Sequence, residues 1–399
     1  MTQPGVEAEL DELLAESPAA ATERMARQGR AHASPHQLYA LYGAGQLGRM
    51  VLSKLREVGV EPVAFADDTP DKQGRIIDGL PVLSPQDAVE KFGARLTFVV
   101  TILNPQLNFV TARRRLRELT DTPVLSFLHL AWNYPETLLP YCQFEPLQIV
   151  LNKAADIRRG FQLLADDESR RQFVAHLKFR LRLDHEALPL CAPDNYFPPG
   201  VLPELPSDVV FIDCGAYDGD TIRAFLAHQR GRFGRIYAFE PDMHNCARLR
   251  SYVASLGTDQ ERIHVFNAGV GEQRAKLRFD QAGNMSSSFS TAGSAEVDVF
   301  PIDEAVREAG ATVYLKFDVE GAEWEALKGC ANLLGQARPL MAISLYHRPD
   351  DLWQLPLYID SLALGYHSFL RTQGEDGMDV IGYFVPGDLL HEHDQSHRL

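Results

Sequence analysis

The chain has 399 residues, 45% of them hydrophobic and 23% charged, with a formal net charge of −15. At a scale of about 100–200 residues per domain, that length points to two or three domains, two being the working number. The charge disfavours attraction to nucleic-acid phosphates or anionic lipid, and no apolar run approaches the roughly 20 residues of a membrane span, so neither partner is expected.

Residues 1–35 open on the acidic "MTQPGVEAELDELLAESPAA", which lacks the basic and apolar regions of a secretory signal and predicts a cytoplasmic protein. Val6, Leu10, Leu13 and Leu14 fall at helical spacing. A covering or oligomerising helix and a frayed terminus both fit, which leaves a homodimer open. Five cysteines, at 142, 191, 214, 246 and 330, are odd in number and form no C-x-x-C pair. They read as reduced, mostly buried thiols, with no metal site indicated.

From 36 to 150 strands and helices alternate: "QLYALYG", "QLGRMVLSKLREVG", "EPVAFADD", "SPQDAVEKFG" and "RLTFVVTIL". Such alternation predicts β-α-β units on a parallel sheet. Gly43, Gly45 and Gly48 sit at the dinucleotide spacing G-x-G-x-x-G, and Asp67 follows 19 residues after the last of them, so local sequence permits a nicotinamide nucleotide. "ARRRLR" at 112–117 reads as the wet face of a helix. Residues 151–205 hold a polar helical stretch, "NKAADIRRGFQLLADDESRRQFVAHLKFRLRLD", and a proline-marked boundary, "NYFPPGVLPELPSD".

A second alternation fills 206–399, through "DVVFIDCG", "RIYAFEP", "RIHVFNAG", "TVYLKFDVEG", "PLMAISLYH", "YHSFLR" and "DVIGYFV". In "VVFIDCGAYDGDT" a strand ends in Asp213, a Gly215/Gly219 loop follows, and Asp220 or Thr221 is the natural helix N-cap. Twenty-seven residues on, Glu240 ends the next strand, where an α/β sheet places a carboxylate that accepts from ribose hydroxyls. "YLKFDVEGAEWEALKG" gathers Asp318, Glu320 and Glu323 at one sheet edge, groups suited to chemistry or a cation. Glu320 and Glu323 also suit a helix N-terminal dipole. Tyr346, His347 and Arg348 end the following strand.

These stretches, together with "GNMSSSF" and "ISLYHRPDDL", resemble the FkbM family of S-adenosylmethionine-dependent methyltransferases over about residues 194–386. The resemblance implies an α/β class I methyltransferase fold: a Rossmann-like, seven-stranded, mostly parallel sheet whose last strand runs antiparallel, preceded here by a smaller Rossmann-like domain and a helical bridge. It implies S-adenosylmethionine as cofactor, held by Asp213, Gly215, Tyr217, Asp218 and Gly219, by Glu240 and Pro241 at the ribose, by Asn267 and Ala268 near the adenine, and by Asp318. It places Ser287 and Ser288 of "NMSSSF" over the site, with Tyr346 and Arg348 beside the substrate. Ala216, Tyr217 and Asp218 stand where many methyltransferases carry a further glycine, and no acid follows "IHVFN".

A hydroxyl acceptor needs a group to take its proton as the methyl bond forms. His347 is the preferred base, Asp318 a positioning group and Glu320 the third candidate. A divalent cation on Asp318, Glu320 and His347 is the lesser alternative. The expected enzyme is an O-methyltransferase acting on a sugar, glycan or secondary-metabolite hydroxyl. "LYGAGQLGRMVLSKLREVGVEPVAFADDTPDKQGRIIDGLPVLSPQD" looks like the small Rossmann-like domains attached to sugar-modifying enzymes, so Gly43, Gly45, Gly48 and Asp67 form a candidate ligand loop for a sugar nucleotide or acceptor, or serve a structural role. A nicotinamide oxidoreductase and a binding protein with an inactive methyltransferase half are the alternatives.

Overall fold

The computed structural model describes residues 5–31, 37–102, 107–189, 196–280, 288–289, 295–306, 311–374 and 377–390. Two units share them: the first is 1–158, 171–191 and 372–379, the second 159–170, 192–371 and 380–399.

In the first unit, β1 (Leu38–Tyr42), β2 (Ala64–Ala66), β3 (Ile76–Ile77), β4 (Leu80–Leu83), β5 (Leu96–Val100) and β6 (Val124–Ser126) form one sheet ordered β3-β4-β2-β1-β5-β6. Strand β1 runs parallel to β2 and β5, and β6 parallel to β5. Only the β3–β4 hairpin is antiparallel. Strands β1 and β5 are buried on both faces, as their unbroken apolar runs require of a helix-covered parallel sheet. Helix starts follow side-chain chemistry: Ser84 accepts from Asp87 N–H, and Asn108 from Thr111 N–H at 2.8 Å.

The N-terminal helices are integral to this core. Val6–Leu14 buries Leu10, Leu13 and Leu14, each contributing about 1.5–3 kcal/mol by area. Pro18–Ala31 packs on the helices Phe127–Asn133 and Leu147–Asn152. Arg24 and Arg182 hold Glu16 at 2.8 and 2.6 Å, and hydrogen bonding to Arg24 first lowers its carboxyl to about 2 against the cost of burial.

The second unit carries the expected sheet. Strands β7 (Val210–Cys214), β8 (Arg235–Phe239) and β9 (Ile263–Phe266) lie on one side of the chain reversal. A small separate sheet follows in sequence: β10 (Gly269–Val270), β11 (Ala275–Asp280), β12 (Ser288–Phe289) and β13 (Ala295–Phe300), ordered β10-β13-β11-β12. The main sheet resumes with β14 (Val313–Phe317), β15 (Leu340–Ser344), β16 (Tyr366–Gln373) and β17 (Asp379–Pro386), in the order β16-β17-β15-β14-β7-β8-β9. Strand β14 is parallel to β7 and β15, while β17 is antiparallel to β15. Behind it, Phe211 and Phe225 stack at 4.4 Å, flanked by Phe197 and Tyr314. The order reverses between β7 and β14, and their C-terminal ends are where a sheet of this kind opens a ligand crevice. Among the described residues no helix is long and apolar enough to cross a membrane.

Candidate functional site

The loop after β7 is shaped by a close approach. Gly215 has φ +84°, and a Cβ there would lie 1.8 Å from the Asp318 carbonyl oxygen. Only glycine fits that approach and that left-handed backbone. Phe239 O accepts from both Gly215 and Ala216 N–H at 3.0 Å. The next helix, Asp220–His228, is capped by the left-handed Gly219 with no side-chain bond, not by Asp220 or Thr221 as expected. Asp220 instead occupies the first turn, where its charge meets the helix dipole.

Glu240 ties this loop to its neighbour. Its two carboxylate oxygens accept from Tyr217 N–H and Asp242 N–H, each at 2.8 Å. Burial pushes its carboxyl up to about 7, against the pull of those two bonds. Each oxygen keeps a further lone pair for a ligand hydroxyl. Asn267 donates to the carbonyls of Glu240 and Pro241 at 2.9 and 3.0 Å, bracing this turn, and Ala268 is buried. Asp218 pairs with Arg223 at 2.9 Å.

Asp213 is 0% exposed. Lys316, itself 1% exposed, stands 3.1 Å from its carboxylate and donates to Gly215 O at 2.7 Å. Neither Asp213 oxygen has an aligned hydrogen bond, and burial raises its carboxyl to about 6 despite the neighbouring cation. Burial would lower the Lys316 ammonium, but Asp213 and Asp318 hold it above its usual value. Asp213 thus faces the buried lysine.

The loop after β14 carries the remaining acids. Asp318 accepts from Tyr196 O–H and Ser344 O–H, both at 2.9 Å, and from Tyr346 O–H at 3.4 Å. Burial would raise its carboxyl, but Lys316 and His347 bring it below the usual range. Glu320 holds a left-handed φ of +54°, a strained conformation for a side-chain-bearing residue. Partial desolvation of a side chain still 37% exposed, with repulsion from Asp318 and Glu323, raises it to about 7 against the pull of His347. His347 Nδ1 lies 2.7 Å from Glu323 Oε1, and its Nε2 lies 3.4 Å from Asp318 and 3.8 Å from Glu320. Burial would lower the imidazole, yet Glu323, Glu320 and Asp318 raise it well above its usual value. The surrounding carboxylates therefore favour the protonated form of the residue expected to act as a free base.

Beside Glu320 and His347 opens a cavity of about 570 Å³, lined also by Val270, Leu277 and Val299 of the small sheet and by Glu325 and Arg348. Arg348 pairs with Glu325 at 3.1 Å. Ser287 lies outside the described residues, and Ser288 begins β12. Among the described residues no group of three or more His, Cys, Asp or Glu is arranged to hold a metal ion.

Sequence reading missed Lys316, Tyr196, Ser344 and the positioning part of Glu323. Lys316 carried the one usable signal, a cation in an otherwise apolar strand.

In the first unit, a Cβ at Gly48 would lie 2.0 Å from Gly43 O, so the helix abuts its strand as the glycine spacing implies. Asp67 accepts from Ala44 N–H and Thr69 N–H and pairs with Lys72, at 2.8–2.9 Å. Its carboxylate closes its own loop.

A seven-stranded, mostly parallel sheet with one antiparallel strand, a glycine loop and an acid-lined edge defines a methyltransferase fold. Residues 213–374 match the model of the methyltransferase FkbM domain, and the chain is a methyltransferase carrying that domain. The crystal structure of methyltransferase FkbM from Methylobacillus flagellatus KT is similar over 92% of this chain and 100% of that one, with 23% identity and a TM-score of 0.71. An rRNA methylase from Streptococcus thermophilus covers 46% of this chain and 89% of its own, at 14% identity and a TM-score of 0.29. No curated protein gives a significant sequence match.

Proposed function

We propose that the chain is an S-adenosylmethionine-dependent O-methyltransferase whose acceptor is a hydroxyl of a sugar, glycan or secondary metabolite. The observation that carries this reading is the cavity of about 570 Å³ opening onto Glu320 and His347, at the sheet edge that also presents the Gly215 loop and Glu240. An edge this rich in carboxylates suits a cofactor with a cationic sulfonium.

In this reading the main chain from Gly215 to Gly219 cradles the methionine part, with Tyr217 and Asp218 flanking it. Glu240 accepts from the ribose hydroxyls, and Pro241, Asn267 and Ala268 border the adenine. The bound cofactor supplies an already activated methyl group, so the protein's own task is to orient the acceptor and manage its proton. Tyr346 and Arg348 border the acceptor, Asp318 orients it, and the His347/Glu320 pair receives the proton. The apolar part of the cavity lining suits the carbon face of a ring, and its polar part the hydroxyls.

The first unit serves as an accessory domain that holds or presents acceptor, with Gly43, Gly45 and Gly48 as its ligand loop. Asp67, engaged within that loop, gives no support to a nicotinamide alternative.

Calorimetric titration with S-adenosylmethionine and with NAD(H) tests the assignment. Binding of the first and not the second is expected. Glu240→Ala should weaken the cofactor at least tenfold, since a hydrogen bond to a charged group contributes about 1.5–3 kcal/mol. Tight NAD(H) binding without any response to S-adenosylmethionine would overturn it.

A further inference from the structure

The geometry around His347 points to a proton-sharing pair: we propose that His347 and Glu320 give up one proton when the cationic cofactor enters and regain one from the acceptor as the methyl group leaves sulfur, with Glu323 positioning the imidazole. The inference rests on S-adenosylmethionine being the methyl donor.

Every element around the imidazole presents a charge. From β14 and its following loop come Lys316, Asp318 at 3.4 Å and Glu320 at 3.8 Å. The helix Glu323–Lys328 contributes Glu323 at 2.7 Å, which is 1% exposed. The helix Asp351–Ser361 contributes Asp351, buried at its first turn, where it accepts from Arg348 N–H at 2.7 Å. The Tyr346 ring lies 4.3 Å from that of His347, and the Arg348 guanidinium is taken by Glu325. Four carboxylates thus share one imidazole and one ammonium, and Asp213 draws on the same ammonium.

A neutral imidazole would leave those carboxylates facing one another, with Glu323 and Asp351 among them buried. The proton on the pair therefore acts as the missing counter-charge. His347 Nδ1 is committed to Glu323, which leaves Nε2 directed between Asp318 and Glu320, and both His347 and Glu320 line the cavity.

The glycine loop lies against this cluster, since Gly215 touches the Asp318 carbonyl. A second cation received at that edge substitutes for the proton. At an effective dielectric of about 20, a unit positive charge beside the pair would lower its proton affinity by about tenfold or more. His347 or Glu320 then releases its proton to solvent and stands ready as a base.

During transfer the acceptor oxygen forms its bond to methyl while the methyl–sulfur bond breaks and its electron pair stays on sulfur. The hydroxyl proton passes to the pair, whose basicity rises as the sulfonium charge vanishes. Product leaves a protonated pair, the state in which the cycle began, and one proton per turnover reaches solvent.

S-adenosylhomocysteine carries the same nucleoside and amino-acid groups without the sulfonium, so the difference between the two ligands isolates this proton. Calorimetry of both at pH 7.5, in two buffers of unlike ionisation enthalpy, counts it. S-adenosylmethionine should release about 0.5–1 proton more than S-adenosylhomocysteine, and its relative affinity should rise up to tenfold per pH unit through the titration window. His347→Asn and Glu320→Gln should abolish the difference while keeping S-adenosylhomocysteine affinity within about threefold, which also shows that they fold. Glu323→Gln should move the window to lower pH, a shift that a merely structural role would not produce. Equal proton release by both ligands, or a difference that survives in both His347→Asn and Glu320→Gln, overturns the proposal. If neither ligand binds the wild type, the donor assignment itself fails.

Discussion

Gly215→Ala tests the contact on which the site depends. The substitution adds one methyl group where the backbone has φ +84° and the Asp318 carbonyl oxygen stands 1.8 Å from the new atom. The left-handed backbone costs about 1–2 kcal/mol for any residue with a Cβ. The overlap adds about 2 kcal/mol more by the measure of overpacked cores. That neighbour is a backbone atom, so no rotamer change relieves the overlap. Asp318 is itself tied by its N–H to Cys214 O at 3.0 Å, and moving either loop breaks a register bond between β7 and β14. Gly231→Ala is the control, with φ +72° and no atom within 4 Å of the added carbon. Thermal unfolding of the two variants should differ by about 4–8 °C for a unit of this size, with Gly215→Ala the less stable. Cofactor affinity should fall in Gly215→Ala alone. Equal melting temperatures would refute the close approach and with it the coupling of the glycine loop to Asp318.

Lys316→Met should cost about 3–5 kcal/mol in urea unfolding, because it strands a buried Asp213 charge. Adding Asp213→Asn should recover much of that loss, and a double variant as unstable as the single would refute the pairing. Glu320→Gln should melt higher than wild type at pH 8 and lose the advantage toward pH 5. A carboxyl raised in the fold from 4.5 to about 7 destabilises progressively as pH climbs through that window, and a pH-independent difference would contradict the crowding of Glu320 by Asp318 and Glu323.

Strand-end chemistry was the legible part of the site. Asp213, Glu240, Asp318 and His347 each close an apolar run, and a parallel sheet brings such ends to one edge. Tyr196 was invisible because it stands 122 residues before Asp318, within a stretch whose prolines signal only a boundary. Glu323 looked like a helix N-terminal acid, and its contact with His347 depends on how that helix meets β15.

The parallel sheets were legible from alternation. Strands β3, β4, β6 and β10–β13 were not, β3, β10 and β12 being only two residues long. The stretch 152–184 is helical as expected, but periodicity does not say which core a helix joins. Residues 159–170 belong to one unit and 171–191 to the other.

The division of the chain also sets an order of events during synthesis. Thr372 donates to Gln172 Oε1 at 3.0 Å and meets His176 Nε2 at 2.9 Å, so the first unit's buried polar network includes a strand end 200 residues downstream. At about 5–20 residues per second a ribosome takes roughly 10–40 s to bridge that gap. Through that interval the bonds from Thr372 to Gln172 and His176 cannot form, and the unit that is made first is among the last to close.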